Sequence, residues 1–293
     1  MIDEADEEGV AVLREAVTRY RGVLGPRLLA AYALGSLAHG GFSPLVSDVD
    51  LGLVLTDPIE PSDVPTIGAV AEAVKAGRTE LHERLSVFWG TPETLAGRAP
   101  GGRFPPLDRL DLLENGKLLD GSECRQGLTG PDPAELLVEG ATFALDFLGP
   151  GYEASVPATP ANLGSLTPAG DEVIEEIRQP ELLLKRGPRH LTKTVLFPVR
   201  FLFTAATGRV GTNHAAVDYY LANPEAVAPA LVAAGLHWRT VPPDDHSAAL
   251  ALLERELRPL YLEYIDDHTT RLDDLGRADL AKAFTAWRRR LTA

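Results

Sequence analysis

A mixed α/β unit followed by an all-helical unit is the fold class predicted for this chain of 293 residues. Three observations carry the prediction. Short apolar runs with strand character, at residues 28–34, 48–56 and 85–89, fall only in the first third of the chain. Segments with helical spacing separate them. From Asp132 onward the apolar residues recur at helical spacing alone, punctuated by Gly and Pro. A hydrophobic share of 45% with 24% charged residues is enough for a sizeable core, and it excludes disordered, collagen-like and coiled-coil classes.

The first helix is predicted over residues 7–23, where Val10, Val12, Leu13, Ala16, Val17 and Tyr20 recur among charges before Gly22, Gly25 and Pro26 end it. Residues 28–34 form a strand broken by Gly35-Ser36, a Gly-rich polar loop follows, and residues 48–56 form a second strand. Ser62 or Asp63 caps a helix running to about Arg84, and the strand at 85–89 closes on Gly90-Thr91-Pro92. Residues 96–106 make a loop that either covers a site or connects elements, and residues 107–121 read as a short helix and turn. Helices are then predicted over 133–147, 171–184, 191–206, 214–221, 225–234, 246–268 and 277–291. Gly149-Pro150-Gly151 and residues 157–168 read as linker, and the division is drawn as domains 1–130 and 131–293.

Forty-two acidic against 28 basic residues give a net charge of −14, which repels nucleic acid and anionic lipid. The longest apolar runs, 28–37 and 195–206, are too short or too interrupted to span a bilayer. The acidic opening Met-Ile-Asp-Glu lacks the basic and apolar pattern of a secretory signal, and a lone Cys124 fits a reducing compartment. A cytoplasmic protein with no membrane and no nucleic-acid partner is expected.

Chemistry concentrates in Leu34-Gly35-Ser36-Leu37-Ala38-His39-Gly40-Gly41-Phe42-Ser43-Pro44-Leu45-Val46-Ser47-Asp48-Val49-Asp50-Leu51. Strand alternation puts Asp48 and Asp50 on one face at the start of the second strand. Two carboxylates so placed repel. A divalent cation relieves the repulsion, and carboxylate oxygens completed by phosphate oxygens suit Mg²⁺. Gly35 and Ser36 supply a close backbone approach and a hydroxyl donor for phosphates. Taken one at a time, each feature is equally that of an ordinary strand entrance or turn.

In this order and spacing, Gly35-Ser36 followed by Asp48-Val49-Asp50 resembles the signature of the polymerase-beta-like nucleotidyltransferase superfamily. More closely, Gly35-Ser36, Gly40-Gly41, Pro44 and Ser47-Asp48-Val49-Asp50-Leu51 look like the aminoglycoside nucleotidyltransferases that adenylylate streptomycin and spectinomycin. Residues 200–216, with Thr207-Gly208-Arg209 and Ala215-Ala216, are similar to a helix and Thr-Gly-Lys turn in the helical domain of those enzymes, and residues 113–121 look like their segment after the catalytic strands.

The resemblance implies an N-terminal nucleotidyltransferase-fold mixed sheet with flanking helices and a C-terminal helical bundle. It implies Mg²⁺-dependent transfer of AMP from ATP to a hydroxyl of a small molecule, an aminoglycoside-like antibiotic among the acceptors, with pyrophosphate leaving, and hence antibiotic resistance. Such chemistry is mostly positioning and charge neutralisation. Asp48 and Asp50 would hold the metal, Gly35, Ser36 and Ser47 the triphosphate, and Lys193, Arg209 and Arg200 of the helical domain the leaving pyrophosphate. The family's third carboxylate belongs on the next strand, yet residues 85–89 contain no acid. Glu83, just before that strand and of one parity with Leu85 and Val87, is the candidate, with Glu80, Glu93 or the 108–111 segment as alternatives. Where the relatives carry acids that bind the cationic drug, Lys185-Arg186-Gly187-Pro188-Arg189-His190 stands here, which counts against streptomycin-like binding. Asp218, Glu225, Glu263, Asp266 and Asp267 remain for a cation. Two other functions stay open: AMP transfer to a protein, and nucleotide binding for regulation with weak catalysis.

Overall fold

The computed structural model describes residues 6–149 and 170–293. Most of the linker expected at 149–151 and 157–168 lies outside the described residues. Contacts divide the chain into two compact units, Met1–Pro131 and Asp132–Ala293.

In the first unit, strands β1 (Leu28–Leu34), β2 (Val49–Leu55), β3 (Leu85–Gly90) and β4 (Lys117–Gly121) form one sheet in the order β3-β2-β1-β4. β1 is antiparallel to β2 and β4, and β2 is parallel to β3. A parallel pair needs a crossover, supplied by α3 (Asp63–Lys75) and α4 (Glu80–Glu83). One helix was expected across both; Gly77 separates them, and a Cβ there would come within 2.3 Å of the His82 ring.

Strand parity decides which side chains meet which layer. Val49, Leu51, Leu53 and Leu55 of β2 join Leu85, Val87 and Trp89 of β3 in a core shared with α1 (Glu7–Leu24) and α3. The Tyr20 hydroxyl, buried in that core, donates to Ile67 O at 3.0 Å. On the opposite face Ala30, Tyr32, Leu34, Val54 and Phe88 pack with Leu112 of α6 (Pro106–Asn115) and Leu95 of α5 (Pro92–Leu95).

β4 corrects the expectation of only a helix and turn over 107–121. It is a five-residue edge strand, mostly exposed, so Lys117-Leu118-Leu119-Asp120-Gly121 shows no buried alternation to mark it. A second correction falls after β1, where the expected loop begins with a short helix, α2 (Gly35–His39).

The second unit contains α7 (Pro133–Phe147), α8 (Gly170–Arg178), α9 (Pro180–Lys185), α10 (Pro188–Thr207), α11 (Asn213–Leu221), α12 (Pro229–His237), α13 (His246–Asp274) and α14 (Ala278–Thr292), with no strand among the described residues. Pro180 starts a new helix where a continuous one was expected over 171–184, because proline suits a first turn and breaks an interior. Tyr261, Tyr264, Phe284 and Trp287 are fully buried between α13 and α14. Glu256 of α13 accepts the Leu231 N–H at 2.7 Å, which satisfies an otherwise orphaned donor at the start of α12. No helix among the described residues is long and apolar enough to cross a membrane.

Candidate functional site

The end of β1 and the start of β2 lie side by side, because the antiparallel register pairs Leu34 with Asp50. The chain therefore leaves β1 at Gly35 directly against the Asp50 carboxylate. Gly35 has φ +59°, and an ideal Cβ on it would stand 2.2 Å from Asp50 Oδ2. Only glycine fits there, on both conformation and space. The Gly35 N–H donates to Asp111 Oδ2 at 2.6 Å, and Asn115 Nδ2 donates to Asp111 Oδ1 at 2.9 Å. Asp111, on α6, is 7% exposed.

Asp48 stands one residue before β2 and, like Asp50, is half-buried. Ser47 is buried, and its hydroxyl accepts the Ser43 N–H at 3.0 Å, closing the loop that delivers Asp48. Arg84 pins the same loop by donating to Pro44 O at 2.8 Å, and Val49 N–H reaches Arg84 O at 3.1 Å. Ser36 is half-buried in α2, and the His39 ring lies 3.1 Å from Gly40 O.

On the other side of β2, the parallel register sets Ser86 level with Asp50. Ser86 and Asp50 share the α6 face of the sheet, so the β3 position beside the carboxylate is a hydroxyl. Glu83 ends α4 and is exposed, so it lies on a helix and not on β3, and Leu85 and Val87, whose parity was expected for it, pack on α1 and α3.

Sequence reading passed over Arg103 and Phe104. Two backbone hydrogen bonds join Arg103 to Trp89, at 3.1 and 2.6 Å, which fixes the 96–106 loop to the β3 edge. The Arg103 guanidinium donates to Val87 O at 2.7 Å and lies 5.2 Å from the Phe88 ring centre. Burial lowers its pKa, against the opposing charges of Asp108 and Asp50. Phe104 covers β2 at Gly52, where a Cβ would approach its ring to 3.0 Å. The legible signal was Gly101-Gly102: at Gly102, φ +80°, a Cβ would stand 2.9 Å from Trp89 O.

Among the described residues no group of three or more His, Cys, Asp or Glu side chains gathers into a metal cluster. Asp48 and Asp50 are the acids at the entrance of β2. Two carboxylates are hard oxygen donors of the kind that suit a divalent cation keeping phosphate and water ligands, and Asp50 Oδ2 itself takes the place a Gly35 Cβ would fill.

In the second unit Lys193 is half-buried on α10, and Arg209 is exposed in the turn after it, where Gly208 adopts φ +68° and ends the helix. Arg200 serves that turn: its Nε donates to Gly211 O and its guanidinium lies 5.6 Å from the Phe197 ring centre. Arg186 and His190, from the basic run that leads into α10, meet at buried Glu176, at 2.7 and 2.6 Å. Burial raises the Glu176 pKa, and the His190 and Arg186 hydrogen bonds overcome it, so the carboxyl is held below its ordinary value. Of the acids reserved for a cation, Glu263 accepts from Tyr220 at 2.5 Å, Asp266 from Arg288 at 2.6 Å and Asp267 from Arg271 at 2.8 Å. Asp218 and Glu225 are exposed.

No protein-family model matches the chain, and no curated protein does. Among solved structures, the chain is similar to the crystal structure of spectinomycin adenyltransferase AAD(9) from Enterococcus faecialis with ATP and spectinomycin. The TM-score is 0.50 and the identity 12%, over 87% of this chain and 98% of the other. The likeness is one of fold: a nucleotidyltransferase-type mixed sheet with flanking helices, followed by helices, as the resemblance implied.

Proposed function

We propose that the protein is a Mg²⁺-dependent nucleotidyltransferase that moves AMP from ATP to a hydroxyl of a small molecule and releases pyrophosphate. The observation that carries this reading is the Asp50 carboxylate seated against a glycine that no other residue can replace, with Asp48 at the same strand entrance. The structure sharing the fold was crystallised with ATP and spectinomycin, which supports a nucleotide and a small acceptor as the ligand pair.

Asp48 and Asp50 would hold the metal, which when bound neutralises triphosphate charge and favours loss of pyrophosphate. The Gly35 N–H is already given to Asp111, so Gly35 contributes close approach and Ser36 the hydroxyl donor. The Ser47 hydroxyl accepts from Ser43 and so shapes the loop around the phosphates. Lys193 and Arg209 are the cations proposed for the leaving pyrophosphate. An aminoglycoside-like antibiotic is one acceptor class, but the basic run 185–190 offers a cationic drug no acid, and its Arg186 and His190 close on Glu176.

One observation favours a second reading, a nucleotide-binding protein of low turnover. Ser86, rather than an acid, stands level with Asp50, and an absent general base typically costs about 10²–10⁴ in rate. Calorimetric titration of ATP, GTP, CTP and UTP, with and without Mg²⁺, tests both readings. Binding of one nucleotide only with metal, lost in Asp48→Asn with Asp50→Asn, supports the metal site, and binding of none sinks it. Pyrophosphate release against a panel of hydroxyl acceptors, including aminoglycosides, then separates the transferase from the binder.

A further inference from the structure

Asp111 is an unusual residue for its position. Its neighbours on α6, Leu110 and Leu112, are buried, and a carboxylate placed among them is costly unless both oxygens find donors. Both do: one takes the Gly35 N–H at 2.6 Å and the other the Asn115 amide at 2.9 Å. The Gly35 bond falls at the point where β1 turns into α2 with φ +59°, and Asp50 Oδ2 rests against the same residue. Asp111, Gly35 and Asp50 thus form a short mechanical chain, with a helix-borne carboxylate gripping the backbone that a strand-borne carboxylate leans on. Partners one shell out commonly hold a metal ligand in its working rotamer in this way.

We propose that Asp111 is a positioning residue for the metal-binding pair: by accepting the Gly35 N–H it fixes the backbone against which the Asp50 carboxylate is seated. The inference rests on the reading of Asp48 and Asp50 as metal ligands. It assigns Asp111 no contact with metal or nucleotide, since both its oxygens are engaged. It also separates the two acids by role, Asp50 acting through its charge and Asp111 through one hydrogen bond. Asparagine can replace Asp111, because its amide oxygen accepts the Gly35 N–H while its NH₂ turns to the carbonyl of a flipped Asn115.

The test is Mn²⁺ binding, alone and with ATP, measured by calorimetry on the full chain and on Asp111→Ala, Asp111→Asn, Asn115→Ala and Asp50→Asn. Thermal melts and the Gly35 amide proton by NMR accompany it. Asp111→Ala is expected to weaken Mn²⁺·ATP binding by at least about tenfold and to expose the Gly35 amide to exchange. Asp111→Asn is expected to stay close to wild type in both, and Asp50→Asn to lose the metal with Gly35 still protected. A folded Asp111→Ala that binds Mn²⁺·ATP like wild type overturns the proposal, and so does an Asp111→Asn as damaged as Asp50→Asn, which would make the charge itself the requirement. Where Asp111→Ala does not fold, Asn115→Ala, which removes only the brace on Asp111, decides by a smaller loss or none. Failure of the wild type to bind Mn²⁺ at all is a distinct result that sinks the metal reading itself.

Discussion

Two charged regions stood out in the sequence, the loop between β1 and β2 and the basic run leading into α10, and the structure uses them in opposite ways. Around α10 the charges are matched inside the unit: Arg186 and His190 close on Glu176, Arg200 closes on Gly211 O, and Arg271 joins Asp267 to Ala205 O. At the sheet end two acids stand at one strand entrance, and the backbone is carved to accommodate one of them by omitting a side chain at Gly35. Charges that close on complementary charges within the unit serve folding, whereas a glycine held at positive φ against a strand-entrance carboxylate shapes the backbone around that acid.

The largest effect that tests this contrast is functional. Asp48→Asn with Asp50→Asn should lower Mg²⁺·ATP affinity by more than the roughly 10–100-fold cost of losing an outer-shell partner, while the chain stays folded with a melting temperature close to that of the wild type. Titration calorimetry and a thermal melt check both halves. A lower melting temperature would place these acids with the structural charges of the second unit.

Next come paired glycine substitutions, one in each region. Gly35→Ala meets Asp50 Oδ2 as well as a left-handed φ, so it should cost more than the roughly 1–2 kcal/mol of conformation alone and remove metal binding. Gly208→Ala also sits at positive φ but meets nothing within 4 Å, so only the conformational cost of roughly 1–2 kcal/mol is expected, with Mg²⁺·ATP binding unchanged. Equal losses in chemical denaturation would show that space at Gly35 does not matter.

A smaller loss is expected from Glu176→Gln. It leaves Arg186 and His190 facing a weaker acceptor, and because Arg186 is about half exposed the cost should be roughly 1–3 kcal/mol at neutral pH. The wild-type carboxyl is held below its ordinary pKa, so its contribution is present above about pH 4.5 and is lost as pH falls further. Wild type and variant should therefore converge in acid, and stability curves that stay parallel well below pH 4.5 would refute the assignment.

The parts legible in the sequence were those governed by local rules. Strand alternation placed Asp50 on β2, while Asp48 stands one residue before it, and the breaker Gly35-Ser36 marked the end of β1. Several features depend on what lies across a sheet and were not legible. β4 is exposed on an edge and carries no periodic signal. The level of Ser86 with Asp50 follows from the parallel register, which no single strand encodes. Glu83 was given the parity of Leu85 and Val87, and only the packing of α1 and α3 shows that this face points away from Asp50. Asp111 was one residue in an alternative segment until α6 packed over β1 and brought it to the Gly35 N–H. The basic run leading into α10 was read only as counting against streptomycin-like binding, and its closure on Glu176 was not legible because Glu176 comes from another helix.

The smallest predicted effect lies in the core of the second unit, where His268 is buried on α13, stacked 5.9 Å from Phe284 and 4.3 Å from Tyr264. Burial lowers its pKa, and Arg271 adds to this, against Asp267 at 3.2 Å, which favours the charged ring; the net direction is down from 6.5. The folded chain thus keeps the imidazole neutral at pH values where the unfolded chain has taken up a proton. Stability from this group is complete above about pH 6.5 and falls as pH drops below it, with a slope of at most about 1.4 kcal/mol per pH unit for one proton. His268→Phe keeps a ring on Phe284 and removes the titration, so its unfolding free energy should vary less than that of wild type between pH 7.5 and 5.5. If the two curves keep the same slope, the acid sensitivity of the bundle belongs to Glu176 and the other carboxylates, and a buried histidine would join the matched charges as a group whose protonation state folding does not select.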